Sequence, residues 1–251
     1  MVVCLFVADF TGRVALVTGG GSGIGLAAAA ELAGSGARVA ILDIDAAAAA
    51  TAAELLGPGH LGVCADVASA EETGAAVGSV IKAAGPISLL VNAAGIPDDL
   101  TPCHELAPEQ WHRVLATDLT GPFLVSRAVL ASMLSLRRGA IVNVASMAGV
   151  SAGAGGSAYT AAKHGLIGLT KRMAVDYGPR GIHVNAVLPG YVATPMALPY
   201  GDYLAGTIAA TPAGRWCQPE EVAKLIAYLL SDDATYIHGA AYLIDGGATL
   251  V

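Results

Sequence analysis

The fold is decided by Arg13–Gly25, which has the sequence RVALVTGGGSGIG. Residues 14–17 form an apolar run with the length of a short buried strand. A glycine-rich turn follows Thr18, and the alanine-rich stretch Ile24–Leu32 predicts a helix directly after it. A strand, a glycine-rich turn and a helix in this order present backbone N–H groups to a phosphate at the helix N-terminus. The stretch therefore predicts a dinucleotide-binding site.

The glycines of this turn have separate roles in such a site. Gly19 allows the sharp turn, Gly23 lets the backbone approach a pyrophosphate, and Gly25 lets the helix pack close to the strand. Ser22 and Ile24 lie between them, and we expect all five residues to contact the cofactor. The spacing is T-G-x-x-x-G-x-G rather than the commoner G-x-G-x-x-G, and the alternative is a tight strand-to-helix connection that binds nothing.

Predicted strands and helices alternate along the rest of the chain. Further strands are predicted at residues 37–43, 60–65, 87–91, 140–145, 182–188 and 241–244, and helices from residue 45, at 69–82, 108–136 and 157–177, and from residue 219. This order predicts an α/β fold with a single doubly wound parallel sheet of the Rossmann type and helices on both faces. We expect one domain over residues 9–251, preceded by an apolar extension at 1–8.

The composition limits the kinds of partner. Hydrophobic residues make up 55% of the chain and charged residues 13%, which favours a sheet covered on both faces and burial of further surface between subunits. A net charge of −7 argues against nucleic acid and acidic membranes, and no apolar run reaches the roughly 20 residues of a membrane span. Four scattered cysteines and six histidines without ligand spacing predict a cytoplasmic protein with reduced thiols and no metal site.

Polar or glycine residues follow the predicted strands at their carboxyl ends. They are Asp43, Asp66, Asn92, Ser146 and Gly190. Open α/β sheets bind ligands at this edge, so we expect these residues to surround one site.

The choice of cofactor depends on Asp43, which lies about 20 residues beyond the glycine turn. A carboxylate there accepts hydrogen bonds from an adenosine ribose and repels a 2′-phosphate. Ser22 and Ile44 stand where a basic residue would compensate for the phosphate, so NAD is predicted over NADP. The alternative role for Asp43 is a cap on the helix that begins at Asp45.

Tyr159 and Lys163 are the candidates for acid–base chemistry. They are four residues apart on a predicted helix, so their side chains lie on one face about a turn apart. An ammonium beside a phenol favours the phenolate and makes the hydroxyl usable as an acid or base nearer neutral pH. Ser146, at the end of the neighbouring predicted strand, is placed to donate a hydrogen bond to the same substrate oxygen. In isolation, a Tyr-x-x-x-Lys pair is more often a surface pair without function.

Together these stretches resemble the short-chain dehydrogenase/reductase family. The resemblance rests on TGGGSGIG at 18–25, NAAG at 92–95, Ser146, YTAAK at 159–163 and Pro189-Gly190, in the family's order, and extends from about residue 9 to the C-terminus. It implies a Rossmann-type domain, usually a homotetramer, that transfers hydride between a nicotinamide cofactor and a carbonyl or alcohol carbon.

The resemblance also implies residue roles. Tyr159 becomes the catalytic acid/base, Lys163 favours its ionised form and holds the nicotinamide ribose, and Ser146 orients the substrate oxygen. The remaining expected cofactor contacts are Asn92, Ala93, Ala94 and Gly95 along the cofactor, Asp66 and Val67 beside the adenine, Ile44 beside the ribose, Pro189 and Gly190 after the sixth strand, and Val192 and Thr194 at the carboxamide.

One position departs from the family pattern. Asp118, in the stretch after Trp111, stands where the family usually has an asparagine that supports a water relay to the lysine. A carboxylate keeps an acceptor but loses the amide donor and adds charge, which puts the relay in doubt. We include Asp118 among the catalytic residues.

The segment 194–213 is predicted to form a mobile lid that sets the substrate. It is largely apolar, and Asp202 is its only charged residue, so a small-to-medium neutral secondary alcohol or ketone is expected. A 3-oxoacyl reductase is the alternative within the family, although Val175 stands where acyl-carrier reductases tend to have a basic residue. A non-catalytic nucleotide-binding subunit is the alternative of another class, motivated by Asp118.

Overall fold

A computed structural model describes residues 8–251 of the chain. The predicted apolar extension lies outside the described residues except for its last member, Ala8. That residue is buried in the core beside Phe10. Ala8 therefore belongs to the packed part of the molecule.

Within residues 8–251, seven strands form one parallel sheet, as predicted. Their bounds are Val14–Thr18 (β1), Arg38–Asp43 (β2), Leu61–Cys64 (β3), Ile87–Asn92 (β4), Gly139–Val144 (β5), Ile182–Pro189 (β6) and Ala241–Ile244 (β7). The order across the sheet is β3-β2-β1-β4-β5-β6-β7, and every neighbouring pair is parallel. β1, β4, β5 and β6 are buried along their whole length, because helices cover both faces.

In the described part of the chain, eight helices surround the sheet. They are Gly23–Gly34 (α1), Ala46–Leu56 (α2), Ala70–Ala84 (α3), Pro108–Leu115 (α4), Gly121–Leu136 (α5), Ser157–Tyr177 (α6), Gly201–Ala210 (α7) and Pro219–Leu230 (α8). Buried residues of α1, α2 and α8 pack on one face, and those of α3, α5 and α6 pack on the other. The doubly wound Rossmann-type fold predicted from the sequence is thus confirmed.

Two stretches differ from the sequence predictions. The helix predicted at 108–136 contains a π-helical turn, Ala116–Thr120, which separates α4 from α5. The lid segment is more regular than expected, because it holds a 3₁₀ turn at Leu198–Tyr200 and the whole of α7.

Among residues 8–251, the continuous helix Pro108–Leu136 is the one long and apolar enough to cross a membrane by length and composition. In this fold it packs against the sheet, and Val125, Val129 and Met133 on α5 are buried in the core. The apolar composition of this helix is therefore explained by its packing against the face of the sheet.

Candidate active site

The carboxyl edge of the sheet holds a cleft of about 670 Å³. The strand order reverses between β1 and β4, which makes this the topological switch point of the sheet. Open α/β sheets bind ligands at the carboxyl edge beside such a point. The predicted residues that line the cleft are Gly19, Ser22, Gly23, Ile24, Gly25, Asp43, Ile44, Asp66, Val67, Ala93, Ala94, Gly95, Asp118, Ser146, Tyr159, Lys163, Pro189, Gly190, Val192 and Thr194.

Asn92 is the predicted residue that does not line the cleft. Its side chain is buried and donates hydrogen bonds to Asn143 Oδ1 (2.8 Å) and Ser126 Oγ (3.1 Å). Asn143 in turn donates to Thr170 Oγ1 on α6 (2.9 Å). The Asn92 side chain therefore links β4 to β5 and α5, and the expected contact of this residue with the cofactor stays a prediction.

The glycine turn has the backbone that its sequence predicts. Gly19 and Gly23 have φ values of +62° and +52°, which residues with side chains rarely adopt. A Cβ at Gly19 would lie 2.7 Å from Ala94 Cα, so the loops after β1 and β4 are in close contact. Thr18 reinforces that contact, since its Oγ1 accepts hydrogen bonds from Ala93 N and Ala94 N, both at 3.1 Å.

The start of α1 fits a phosphate. Its N-cap, Ser22, makes no side-chain hydrogen bond to the helix, and no acidic residue lies in the first turn. The first backbone N–H groups of the helix therefore lack a side-chain acceptor and point to the cleft edge, as phosphate binding requires.

Asp43 contacts the glycine turn directly. Its Oδ2 accepts a hydrogen bond from Gly21 N (2.9 Å), and its Oδ1 accepts one from Asp45 N (3.1 Å). The cap of α2 is Asp45 itself, which accepts from Ala47 N and Ala48 N. The alternative role of Asp43 as a helix cap is therefore not needed, and each carboxylate oxygen keeps a lone pair for a ribose hydroxyl.

The opposite wall of the cleft comes from the segment after β6. Thr194 lies against the glycine turn, because a Cβ at Gly23 would be 3.2 Å from Thr194 Cγ2. Val192 is buried and pairs with Cys217 in an isolated bridge, which fixes the base of the lid. Val67, which also lines the cleft, packs against Gly121 at the start of α5.

Tyr159, Lys163 and Ser146 all line the cleft. The Lys163 Nζ lies 5.2 Å from the centre of the Tyr159 ring and donates a hydrogen bond to the Val144 carbonyl oxygen (3.2 Å). Ser146 follows β5, and its Oγ accepts a hydrogen bond from Ala148 N (3.1 Å), so its proton is free to be donated elsewhere. The arrangement can hold a substrate oxygen and move a proton to or from it.

Asp118 forms a buried ion pair with Lys163. Its Oδ2 is 3.1 Å from Lys163 Nζ, and its Oδ1 accepts a hydrogen bond from Ile96 N (2.9 Å). The π-helical turn is what directs this carboxylate inward. A Cβ at Gly95 would lie 2.9 Å from Oδ2, so only glycine leaves room for the pair.

The pKa values of the Asp118 carboxyl and the Lys163 ammonium are both raised in this buried site. Burial raises the pKa of the Asp118 carboxyl, against the opposing effect of the Lys163 ammonium. Burial alone would lower the pKa of Lys163, but the charges of Asp118 and Tyr159 outweigh it and raise that pKa above its usual value. Lys163 therefore keeps its ammonium at neutral pH.

Sequence reasoning missed two charged residues of the cleft. Asp98, in the segment after β4, is buried and accepts hydrogen bonds from Gly156 N and Tyr159 N at the start of α6. Arg113, on α4, lines the cleft at its lid end near Tyr200. Within residues 8–251, Arg113 forms no ion pair within 4.0 Å. The sequence analysis weighed only the charges of the lid segment 194–213, which has no basic residue, and Arg113 lies outside that segment.

Comparison with known proteins settles the family. A family model described as enoyl-(acyl carrier protein) reductase matches residues 19–249. The cis-4-hydroxycyclohexanecarboxylate dehydrogenase of Sinomonas cyclohexanicum is 44% identical over 96% of this chain and 98% of its own length. The chain belongs to the short-chain dehydrogenase/reductase family.

Two further similarities narrow the chemistry. The cyclohexanol dehydrogenase of Acinetobacter sp. (strain SE19) is 40% identical over 96% of both chains. A candidate gluconate 5-dehydrogenase from Beutenbergia cavernae, solved with bound NADP at low occupancy, is 36% identical with a TM-score of 0.88 over 97% of this chain and 99% of that one. This member of the family is thus an oxidoreductase that acts on CH–OH or C=O groups with a nicotinamide cofactor.

Proposed function

We propose that this protein is an NAD-dependent dehydrogenase of secondary alcohols, with Tyr159 as its acid/base. The observation that carries the proposal is that Asp43 lines the same cleft as Tyr159, Lys163 and Ser146. Bound NAD supplies the hydride acceptor for the alcohol carbon. The residues of the chain then have to orient the alcohol and remove its proton.

Each residue has a defined part in that task. Ser146 Oγ–H would donate a hydrogen bond to the substrate oxygen and so orient the alcohol in the cleft. The Tyr159 phenolate accepts the hydroxyl proton as the C–H bond gives up its hydride, so the products are a ketone and a neutral phenol. The Lys163 ammonium favours the phenolate, and it is fixed by Asp118 and the Val144 carbonyl.

The preference for NAD rests on Asp43 and its neighbours. A 2′-phosphate would approach a carboxylate already held against Gly21, and the nearby Ser22 and Ile44 supply no positive charge. The repulsion disfavours NADP, whereas two ribose hydroxyls donate to the same carboxylate.

The substrate is a small-to-medium secondary alcohol with an apolar body. Met196, Leu204 and Tyr203 of the lid line the cleft and favour such a body. The 40% identical cyclohexanol dehydrogenase fits a neutral ring alcohol.

A second candidate is a ring alcohol that carries a carboxylate. Arg113 lines the lid end of the cleft without an ion-pair partner among the described residues, and guanidinium groups bind carboxylates in a bidentate manner. The 44% identical relative is named for such a substrate. Turnover of cyclohexanol and of cis-4-hydroxycyclohexanecarboxylate by wild type and Arg113→Gln separates the candidates. If Arg113→Gln lowers turnover of the carboxylate substrate and leaves turnover of cyclohexanol unchanged, the carboxylate-bearing alcohol is favoured. If wild type and variant turn over each substrate equally well, the neutral alcohol is favoured.

The test of the proposed mechanism is Tyr159→Phe. The ring remains and the proton-transfer group is lost, so kcat should fall at least about a hundredfold while the Kd for NAD stays within about twofold. Tyr236→Phe is the control, because Tyr236 is fully exposed and lies outside the cleft. A Tyr159→Phe protein that keeps a tenth of the wild-type rate would show that another group moves the proton.

A further inference from the structure

The N-terminus of α6 is capped from outside the helix. Its N-cap residue, Gly156, has no side chain to accept hydrogen bonds from the N–H groups of the first turn. Asp98 takes that part from the segment after β4. Its Oδ1 accepts from Gly156 N at 2.7 Å, and its Oδ2 accepts from Tyr159 N at 3.0 Å. A carboxylate at this end also interacts favourably with the helix dipole.

The carboxylate and the glycine fit each other. A Cβ at Gly156 would lie 2.6 Å from Asp98 Oδ2 and 2.8 Å from its Cγ. The φ of Gly156 is −76°, which any residue adopts, so the backbone does not require glycine there. Glycine at position 156 instead leaves the space that the Asp98 carboxylate occupies.

The Asp98 carboxylate therefore fixes the backbone of a reacting residue. Tyr159 is the third residue of α6, and its own amide is bound. Two residues before Asp98, Ile96 N donates to Asp118 Oδ1, and Asp118 pairs with Lys163. The short segment after β4 is thus bonded directly to Tyr159 N and, through Asp118, to Lys163, and it lines the same cleft.

We propose that Asp98 is a positioning residue for proton transfer. It holds the backbone of Tyr159 against the cleft-lining segment, so that the phenol oxygen stays aligned with the substrate oxygen. The inference rests on the proposed role of Tyr159. A cap supplied by the helix itself would stabilise α6 equally but would leave Tyr159 untied from that segment.

Asp98→Ala tests the proposal at a temperature where all proteins are folded. We expect kcat, counted per NAD-binding site, to fall at least about tenfold. The Kd for NAD should stay within about twofold, because the glycine turn and Asp43 lie at the other end of the cleft. Asp98→Asn, which keeps one acceptor, should fall between wild type and Asp98→Ala. Ser69→Ala, which removes the cap of α3, is the control and should lower Tm with kcat unchanged.

A double variant separates positioning from helix capping. Asp98→Ala with Gly156→Asp places a cap carboxylate on α6 itself, and removal of Asp98 leaves room for that side chain. We expect its kcat to stay low whatever its Tm. A fall in Asp98→Ala smaller than tenfold, or a return of kcat to within twofold of wild type in the double variant, would overturn the positioning role. A fully active Tyr159→Phe would instead overturn the proposed function.

Discussion

At the scale of single residues, Tyr159 and Lys163 are held by two carboxylates, Asp98 and Asp118, that lie outside the helix carrying the pair. Tyr159 and Lys163 could be paired because helical spacing places them together. The bond of Asp98 to Tyr159 N joins residues 61 positions apart through a side chain and a backbone amide, and no periodic pattern marks such a contact. The sequence pattern marks Thr18 only as the residue before the glycine-rich turn. In the structure its hydroxyl also joins the loops after β1 and β4.

The Asp118–Lys163 contact gives a prediction on pH. An ionised Asp118 3.1 Å from Nζ offsets part of the ammonium's field at Tyr159. Asp118→Asn removes that offset, so the phenolate forms more readily. The rising limb of the pH–rate profile for alcohol oxidation should move to lower pH, by up to about one unit. The measurement is kcat against pH at saturating NAD.

The outcome distinguishes an electrostatic role from a structural one. The asparagine side chain of the variant keeps an acceptor for Ile96 N, so a purely structural Asp118 would leave the limb in place. A limb that is unchanged or displaced to higher pH would contradict the electrostatic role. Asp99→Asn is the matched control, since Asp99 is an exposed carboxylate of the same segment, held by Thr101, and its removal should not move the limb.

Asp43 gives the prediction on cofactor choice. In Asp43→Ala the ribose hydroxyls lose a charged acceptor, so kcat/KM for NAD should fall at least about tenfold. The value for NADP should hold or rise, because the repulsion of its phosphate is removed. Steady-state kinetics with both cofactors give the ratio, and Asp43→Asn, which keeps the acceptor and loses the charge, separates the two effects. A wild type that prefers NADP would contradict the assignment.

At the scale of elements, the strands and most helices were predictable because buried parallel strands are short apolar runs between helices. The π-helical turn at Ala116–Thr120 was not predictable, because one extra residue in a helix leaves no clear mark on the sequence. That turn is what places Asp118 beside Lys163. The lid helix α7 was missed because its sequence, GDYLAGTIAA, contains two glycines and looks like a loop.

The amino edge of the same strands holds a second buried polar cluster. Arg13, at the start of β1, donates to the Ser88 side chain and carbonyl of β4 (3.3 Å each) and pairs with Asp232 (3.4 Å). His183, on β6, is buried nearby, and its Nδ1 has no partner among the described residues. Burial, with help from the positive charges of His238 and Arg13, lowers the pKa of His183 to about 4.

This cluster predicts a loss of stability in mild acid. The unfolded chain binds a proton at position 183 below pH ~6.5, whereas the folded chain does so only near its lowered pKa. Between these values the unfolded state holds more protons than the folded state. The free energy of unfolding therefore decreases as the pH is lowered through this range, by up to about 3 kcal/mol from this group. Above pH ~7 the group has no effect.

His183→Gln tests this prediction by urea unfolding at pH 7.5 and pH 5. The variant should lose less stability than wild type between the two pH values, whatever its absolute stability, because glutamine does not titrate. His164→Gln, which changes an exposed histidine on α6, is the control and should keep the wild-type difference. Equal pH differences in wild type and His183→Gln would contradict the argument.

At the scale of the whole molecule, the surface carries apolar groups that one copy leaves in solvent. Within residues 8–251, β7 is an edge strand that pairs only with β6, and its Tyr242 and Leu243 are at least a third exposed. Phe123 on α5 is 46% exposed although it is a large aromatic side chain. Exposed edges and apolar faces of this kind are usually covered by another chain.

We predict the homotetramer that the resemblance to the family implies, with the helices from Pro108 and from Ser157 on buried faces, and the exposed apolar groups favour such an assembly. Light scattering at micromolar concentration should give about 100 kDa, four times the 25.0 kDa chain. Phe123→Glu buries a charge in the proposed α5 face and should halve the mass, because a symmetric interface contains the substitution twice. Lys82→Glu, on the exposed end of α3, is the control and should leave the mass unchanged. A monomer in the wild type would reject the assembly, and a full-size Phe123→Glu would exclude the α5 face from it.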